Sequence, residues 1–122
     1  MENALKIKQD VIDIAGEITD LKGFNTLALD LSEECSWTGY FIISTCSSNA
    51  HLRGVVDEIR SHLHGLGYSI KQNRKNPGSQ SWVLLDCGDF VIHLMGEETR
   101  EFYNLEDRWE NAETIYSSSK LS

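Results

Sequence analysis

The run YFIISTCSSNAHLRGVVDEIRSHLHGLG, from Tyr40 to Gly67, constrains this chain more than any other segment. Tyr40 to Cys46 is aromatic and β-branched, the composition of a central strand. Ser47, Ser48 and Asn49 then offer side-chain acceptors that cap a helix start. From about Ala50 to Leu66, the residues Leu52, Val55, Val56, Ile59, Leu63 and Leu66 recur at helical spacing, and Gly65 and Gly67 end the run. A buried strand leading into a capped amphipathic helix is half of an α/β crossover. It calls for a sheet with helices packed on it.

The flanking segments supply the rest. Ala4 to Leu21 reads as a helix, with Leu5, Val11, Ile12, Ala15, Ile18 and Leu21 near a 3.6-residue period and Gly23 as its stop. Thr26 to Leu31 alternates like a half-buried strand, and Glu33 to Gly39 is a polar loop. Tyr68 to Gln72 is a third strand candidate, joined to Tyr40–Cys46 by a right-handed crossover if the two are parallel. Asn73 to Ser81 reads as an exposed turn around Pro77-Gly78. Trp82–Leu85 and Phe90–Leu94 are strands joined by the tight Asp86-Cys87-Gly88-Asp89 connection. Gly96 and Glu97 open a last helical region, broken near Asn104, and Ser117 to Ser122 reads as a frayed tail. The expected fold is a single α/β domain over residues 1–122, a mixed five-stranded sheet with helices packed on it. Two helices and a short third one cover two sheet faces poorly, which leaves a face or edge for a partner or a second copy.

Charge and composition narrow the function. The formal net charge of -8 repels polyphosphate on average and favours a basic protein partner. Cys35, Cys46 and Cys87 are too few and scattered for a disulfide framework or a zinc knuckle, so free thiols in a reducing compartment are expected. The N-terminus lacks the apolar core of a secretory signal, and no run reaches the length of a membrane span. The expected location is cytoplasmic.

A search for chemistry returns little. Neither a Walker pattern nor G-x-G-x-x-G is present. His62 and His64 lie two apart on a helix and point in different directions. His51 sits just inside a helix start, where it caps or meets a partner. His93 on the last strand reads as structural or partner-facing. Asp86 and Asp89 are explained by turn capping without a metal. Ser44, Ser47 and Ser48 lack a nucleophile elbow, and Cys46 and Cys87 read as buried, inert thiols. No catalytic residue, cofactor or metal is expected. Trp82 and Trp109 fit core and interface equally well, and Trp37 falls in a polar loop. From Glu97 to Glu113 seven acidic residues face only Arg100 and Arg108, a solvated face or a docking surface for Lys and Arg.

Three blocks carry a resemblance: CSWTGYFIISTCSSNAHLRG (Cys35 to Gly54), WVLLDCGDFVIHL (Trp82 to Leu94) and EETREFYNLEDRW (Glu97 to Trp109). In order and spacing the chain resembles the ribosomal silencing factor, or Iojap, family over roughly Lys6 to Tyr116. The resemblance implies a fold like the nucleotidyltransferase α/β core, without catalysis. It also implies a factor that binds the large ribosomal subunit through ribosomal protein uL-fourteen on the intersubunit face. Such a factor blocks small-subunit joining, slows translation when nutrients are scarce, and is a homodimer when free. The alternatives are a nucleotidyltransferase-like enzyme and a non-ribosomal protein-binding module.

Carried onto this sequence, the resemblance puts the partner face at Trp82, His93 and Met95 in the strand block. It adds Arg100, Tyr103, Leu105, Glu106 and Trp109 from the segment that follows. Asp86, Gly88 and Asp89 match a structural turn. Ser47, Ser48, His51 and Arg53 match a block whose role is either fold or contact. Two positions depart from the family pattern: Gly39 replaces a common Asp, and Asn76-Pro77-Gly78 replaces a loop that usually carries a Glu-Gly pair.

Overall fold

The computed structural model describes the backbone of residues 2–33, 38–75 and 82–118, and side chains within 5–33, 38–71 and 82–118. Cys35, Trp37 and the Asn76-Pro77-Gly78 loop lie outside the described residues.

Helix α1 (Glu2–Asp20) follows the predicted apolar period in its second half: Val11, Ala15 and Ile18 are fully buried and Ile14, not in the expected stripe, joins them, while Ile12 is half-buried and Leu5 is exposed. Its end is close-fitted: a Cβ at Gly23 would come within 2.6 Å of Ile18 and 2.7 Å of Ser44 Oγ. Strands β1 (Phe24–Asp30) and β2 (Tyr40–Cys46) pair antiparallel. Helix α2 (Asn49–Leu66) starts where expected. Ser48 Oγ accepts from the His51 amide at 3.0 Å, and Gly67 closes the far end in the left-handed region at φ 92°.

Strand β3 (Gln72–Lys75) lies later than the apolar Tyr68–Gln72 stretch suggested: it shares only Gln72 with that stretch and continues into the segment read as an exposed turn. Tyr68 and Ile70 pack against the core instead of pairing in a ladder. The polar β3 takes its backbone bonds from one neighbour, as an edge strand does. Strands β4 (Trp82–Asp86) and β5 (Phe90–Gly96) form the expected antiparallel hairpin, and Gly88 donates to Asp86 Oδ1 at 2.8 Å in its turn. The strand beside and parallel to β2 is β5, not β3. The crossover through α2 therefore spans two strands before reaching the sheet edge.

Helices α3 (Glu97–Tyr103) and α4 (Leu105–Arg108) meet at Asn104, which adopts φ 45° at the predicted break. Strand β6 (Glu113–Ser117) then pairs antiparallel with β1. The mixed sheet with helices on it stands, and β6 adds a strand to the five expected, in the order β3-β4-β5-β2-β1-β6. Ser117, placed in a frayed tail from sequence, is strand, and Ser118 donates its amide to Thr26 at 2.9 Å.

The two faces of the sheet are buried differently. Helices α1 and α2 cover one, against Ile42, Val83, Leu85, Phe90, Ile92 and Leu94. The other face is not left bare. Leu29, Leu31, Phe41, Ile43, Val91 and Met95 form a second cluster, capped by Trp82, Leu105, Trp109 and Ala112. Thr26 to Leu31 is accordingly covered on both sides and not half-buried in the simple sense. Gly39 suits its place. Its amide donates to the Asp89 carbonyl at 3.0 Å, and a Cβ there would press on that oxygen at 3.3 Å.

Candidate functional site: an aromatic face over the second sheet surface

The second sheet face ends outward in a ladder of rings. Phe41 on β2 lies under it, 4.6 Å from the His93 ring and 5.8 Å from Trp109, edge-on to both. Trp82 Nε1 donates to His93 Nδ1 at 3.2 Å. Above Trp82, Tyr103 packs at 4.7 Å with the two rings tilted by 51°, and Phe102 meets Tyr103 edge-on at 5.0 Å. Such contacts each add about 0.5–1.5 kcal/mol beyond burial. The ladder ends in solvent, with Phe102 78% exposed and Tyr103 39% exposed.

A buried arginine holds the helix that carries these rings. Arg100 is 8% exposed. Its guanidinium donates to the Asn25 carbonyl and to Thr45 Oγ1 at 2.9 Å, and pairs with Glu106 at 3.0 Å. Asn25 sits in the left-handed region at φ 52° beside an irregularity in β1, which turns its carbonyl toward α3. One side chain thus ties α3 to β1, β2 and α4.

The expected partner residues separate into two sets. Trp82, Leu105, Glu106 and Trp109 are half-buried, and Tyr103 is exposed. Met95 is fully buried, His93 is 4% exposed, and Arg100 is buried as described. In this conformation these three lie beneath the face and cannot touch a partner directly. β-Strand alternation puts His93 and Met95 on the second face, where α3 and α4 cover them. Phe102, absent from the expected set, is the most exposed ring among the described residues. A seven-residue helix makes fewer than two turns, too few for its outward face to be read by period.

Burial explains the quiet groups. It lowers the His93 imidazole to about 4, so the ring is neutral near pH 7. It pushes the Cys46 thiol up to about 11 and the Cys87 thiol to about 12, Cys87 also feeling Asp86 and Asp89. Neither is a thiolate nucleophile at neutral pH. Ser44 is fully buried and shares a 2.8 Å hydrogen bond with Thr26. His51 has a fold role: its Nδ1 accepts from the Ser47 amide at 2.9 Å, and its Nε2 reaches the Leu21 carbonyl at 2.8 Å. That clasp joins the end of α1 to the start of α2. Arg53 is exposed. Among the described residues no group of three or more His, Cys, Asp or Glu side chains is placed to hold a metal ion. No described helix is long and apolar enough to cross a membrane.

Fold and face together define a small α/β protein with helices on a mixed sheet and a partly exposed aromatic ladder over its second surface. The chain belongs to the ribosomal silencing factor family: the model described as "Ribosomal silencing factor during starvation" matches residues 4–122. That is a family of translation regulators and not of enzymes. The chain is 34% identical to "Protein Iojap, chloroplastic" of Zea mays over 106 residues, covering 85% of this chain and 45% of that protein. It is 30% identical to "Ribosomal silencing factor RsfS" of Bacillus subtilis over 98 residues, covering 80% and 82%. It spans about half the length of the plant relatives, including 52% of the mitochondrial Iojap-related protein of Arabidopsis thaliana. A crystal structure of a Chromobacterium violaceum protein matches with a TM-score of 0.75 at 27% identity, covering 90% of this chain and 91% of that one.

Proposed function

We propose that this chain binds the large ribosomal subunit through ribosomal protein uL-fourteen and sterically blocks joining of the small subunit, repressing translation when nutrients are limited. Family membership supports the ribosomal role. The observation that carries the contact is the exposed Phe102–Tyr103 pair on an otherwise acidic helix. Aromatic anchors ringed by charge are the layout of a protein interface. The ring here is negative, with exposed Glu97, Glu98 and Glu101 on α3 and Asp107 on α4. It suits Lys and Arg on a basic protein and repels RNA phosphates. Blocking requires only bulk at the joining face, so no catalytic group is needed. The free protein is a homodimer in the cytoplasm.

Co-sedimentation with purified large subunits across a salt series tests this reading. The protein should pellet with the subunit, less so as salt rises. Excess protein should then reduce the fraction of joined ribosomes when small subunits are added. Absence of both effects in a folded protein would sink the proposal. Stoichiometric binding of a nucleotide with magnesium, read by calorimetry, would favour the enzyme alternative.

A further inference from the structure

We propose that His93 is a positioning residue. Its Nδ1 accepts the Trp82 indole N–H and fixes the ring on which Tyr103 and Phe102 are presented to the partner. The inference rests on the large-subunit reading for its functional consequence, and on geometry alone for the positioning.

Three observations point this way. First, the contacts are serial: His93 to Trp82 by the 3.2 Å hydrogen bond, Trp82 to Tyr103 at 4.7 Å, Tyr103 to Phe102 at 5.0 Å. The buried end of the series is 4% exposed and the outer end 78% exposed. Second, the arrangement specifies one tautomer. Because Nδ1 accepts, the proton of the neutral ring is on Nε2, and Nε2 is buried with no hydrogen-bond partner. A buried donor without an acceptor destabilises a fold. An apolar side chain of similar size would serve the core better at this position, as Met95 does two residues on. What the imidazole supplies that an aliphatic chain cannot is the acceptor for Trp82. Third, α3 is short, and its buried polar residues, Thr99 and Arg100, both lie at mid-helix. Beyond Arg100, the C-terminal end of α3, where Phe102 and Tyr103 project, rests on Trp82 from one side and is continued by Leu105, which packs on the second cluster.

The test uses the full chain and two substitutions. His93→Leu removes the acceptor and the orphaned Nε2–H together. His93→Asn keeps an acceptor near the place of Nδ1. In the free protein, the ¹⁵N-resolved indole N–H signal of Trp82 is read for shift and solvent exchange. His93→Leu should move the signal and speed its exchange at least roughly tenfold with the melting temperature kept or raised, and His93→Asn should restore most of the protection. An unmoved Trp82 signal in His93→Leu, or equal disturbance in both variants, overturns the positioning.

Binding to large subunits is the second readout. His93→Leu should weaken it about tenfold, and the effect should shrink to under about twofold when Trp82 is already Phe. An equal loss in both backgrounds overturns the route through Trp82. Should the wild-type protein fail to bind large subunits at all, the functional reading fails by itself, while the indole signal still decides the positioning.

Discussion

Arg100 donates from its Nη1 to Thr45 Oγ1 at 2.9 Å, across 55 residues of sequence, with both side chains buried. The same guanidinium holds Glu106 and the Asn25 carbonyl. Replacing Arg100 with Met should therefore do more than remove a charge. Glu106 loses the partner of its Oε2, and the carbonyl turned outward at Asn25 loses its donor. Glu106 is about one-third exposed, so solvent recovers part of the loss, and the expected cost is roughly 2–4 kcal/mol. Arg100→Lys should rescue little, because an ammonium cannot reach three separated acceptors in one plane. Urea denaturation measures both, and a change below about 1 kcal/mol for Arg100→Met would refute the anchoring role.

Phe102 and Tyr103 should behave in the opposite way. Phe102→Ala removes an exposed ring, so stability should change by no more than about 0.5 kcal/mol. Large-subunit binding should nevertheless fall about tenfold or more, as truncation of an aromatic anchor does. Tyr103→Ala should weaken binding with a small stability cost, since the ring also lies on Trp82. Trp109 is a poorer probe. It packs edge-on to Phe41 in the second core cluster, so Trp109→Ala should lose stability and binding together. Pelleting assays beside thermal melts separate the two cases.

Acid should weaken the fold in a defined window. The His93 imidazole is lowered by burial from 6.5 to about 4 in the folded chain. Between those values the unfolded chain binds the extra proton, so stability falls as pH drops from about 6.5 to about 4. The integrated loss from this group is roughly 3 kcal/mol. His93→Leu should flatten that part of the stability-against-pH curve. Asp10 adds a separate loss at lower pH. Burial raises its carboxyl, but hydrogen bonds from Lys6 and Tyr68 outweigh that and hold it below the usual value. Its stabilisation is present above the ordinary carboxylate range and is lost as pH falls through its lowered value. Denaturant titrations at half-unit pH steps give both, and an unchanged slope in His93→Leu contradicts the first assignment.

The start of α2 offers a local test. Ser48→Ala removes the acceptor for the His51 amide and should cost about 1 kcal/mol. His51→Ala should cost at least as much, because it frees both the Ser47 amide and the Leu21 carbonyl that the ring bridges. The double variant should cost less than the sum, since both changes loosen one clasp. Additive losses in chemical denaturation would show that the clasp does not act as a unit.

Much of this protein was legible before any coordinates. Helix α1, strand β2, capped helix α2, the β4–β5 hairpin and the break at Asn104 each rest on local signals: period, cap, turn and composition. These depend on neighbours within a few residues, which sequence displays directly. Strand β6 is not legible in the sequence because Glu113–Ser117 gains its strand character from pairing with β1, far earlier in the chain, through the Leu29–Thr114 and Ala28–Tyr116 matches. Strand β3 was displaced because the apolar Tyr68 and Ile70 serve the core and the polar residues after them serve the edge.

The candidate site divides along the same line. Sequence alone placed a set of aromatic and charged residues between Trp82 and Trp109 and identified the family. It did not order them by depth. Burial depends on what another element lays over a residue, and that covering was set by α3 and α4 folding back on the second sheet face. Only the tertiary structure put Met95, His93 and Arg100 beneath the surface and left Phe102 and Tyr103 upon it.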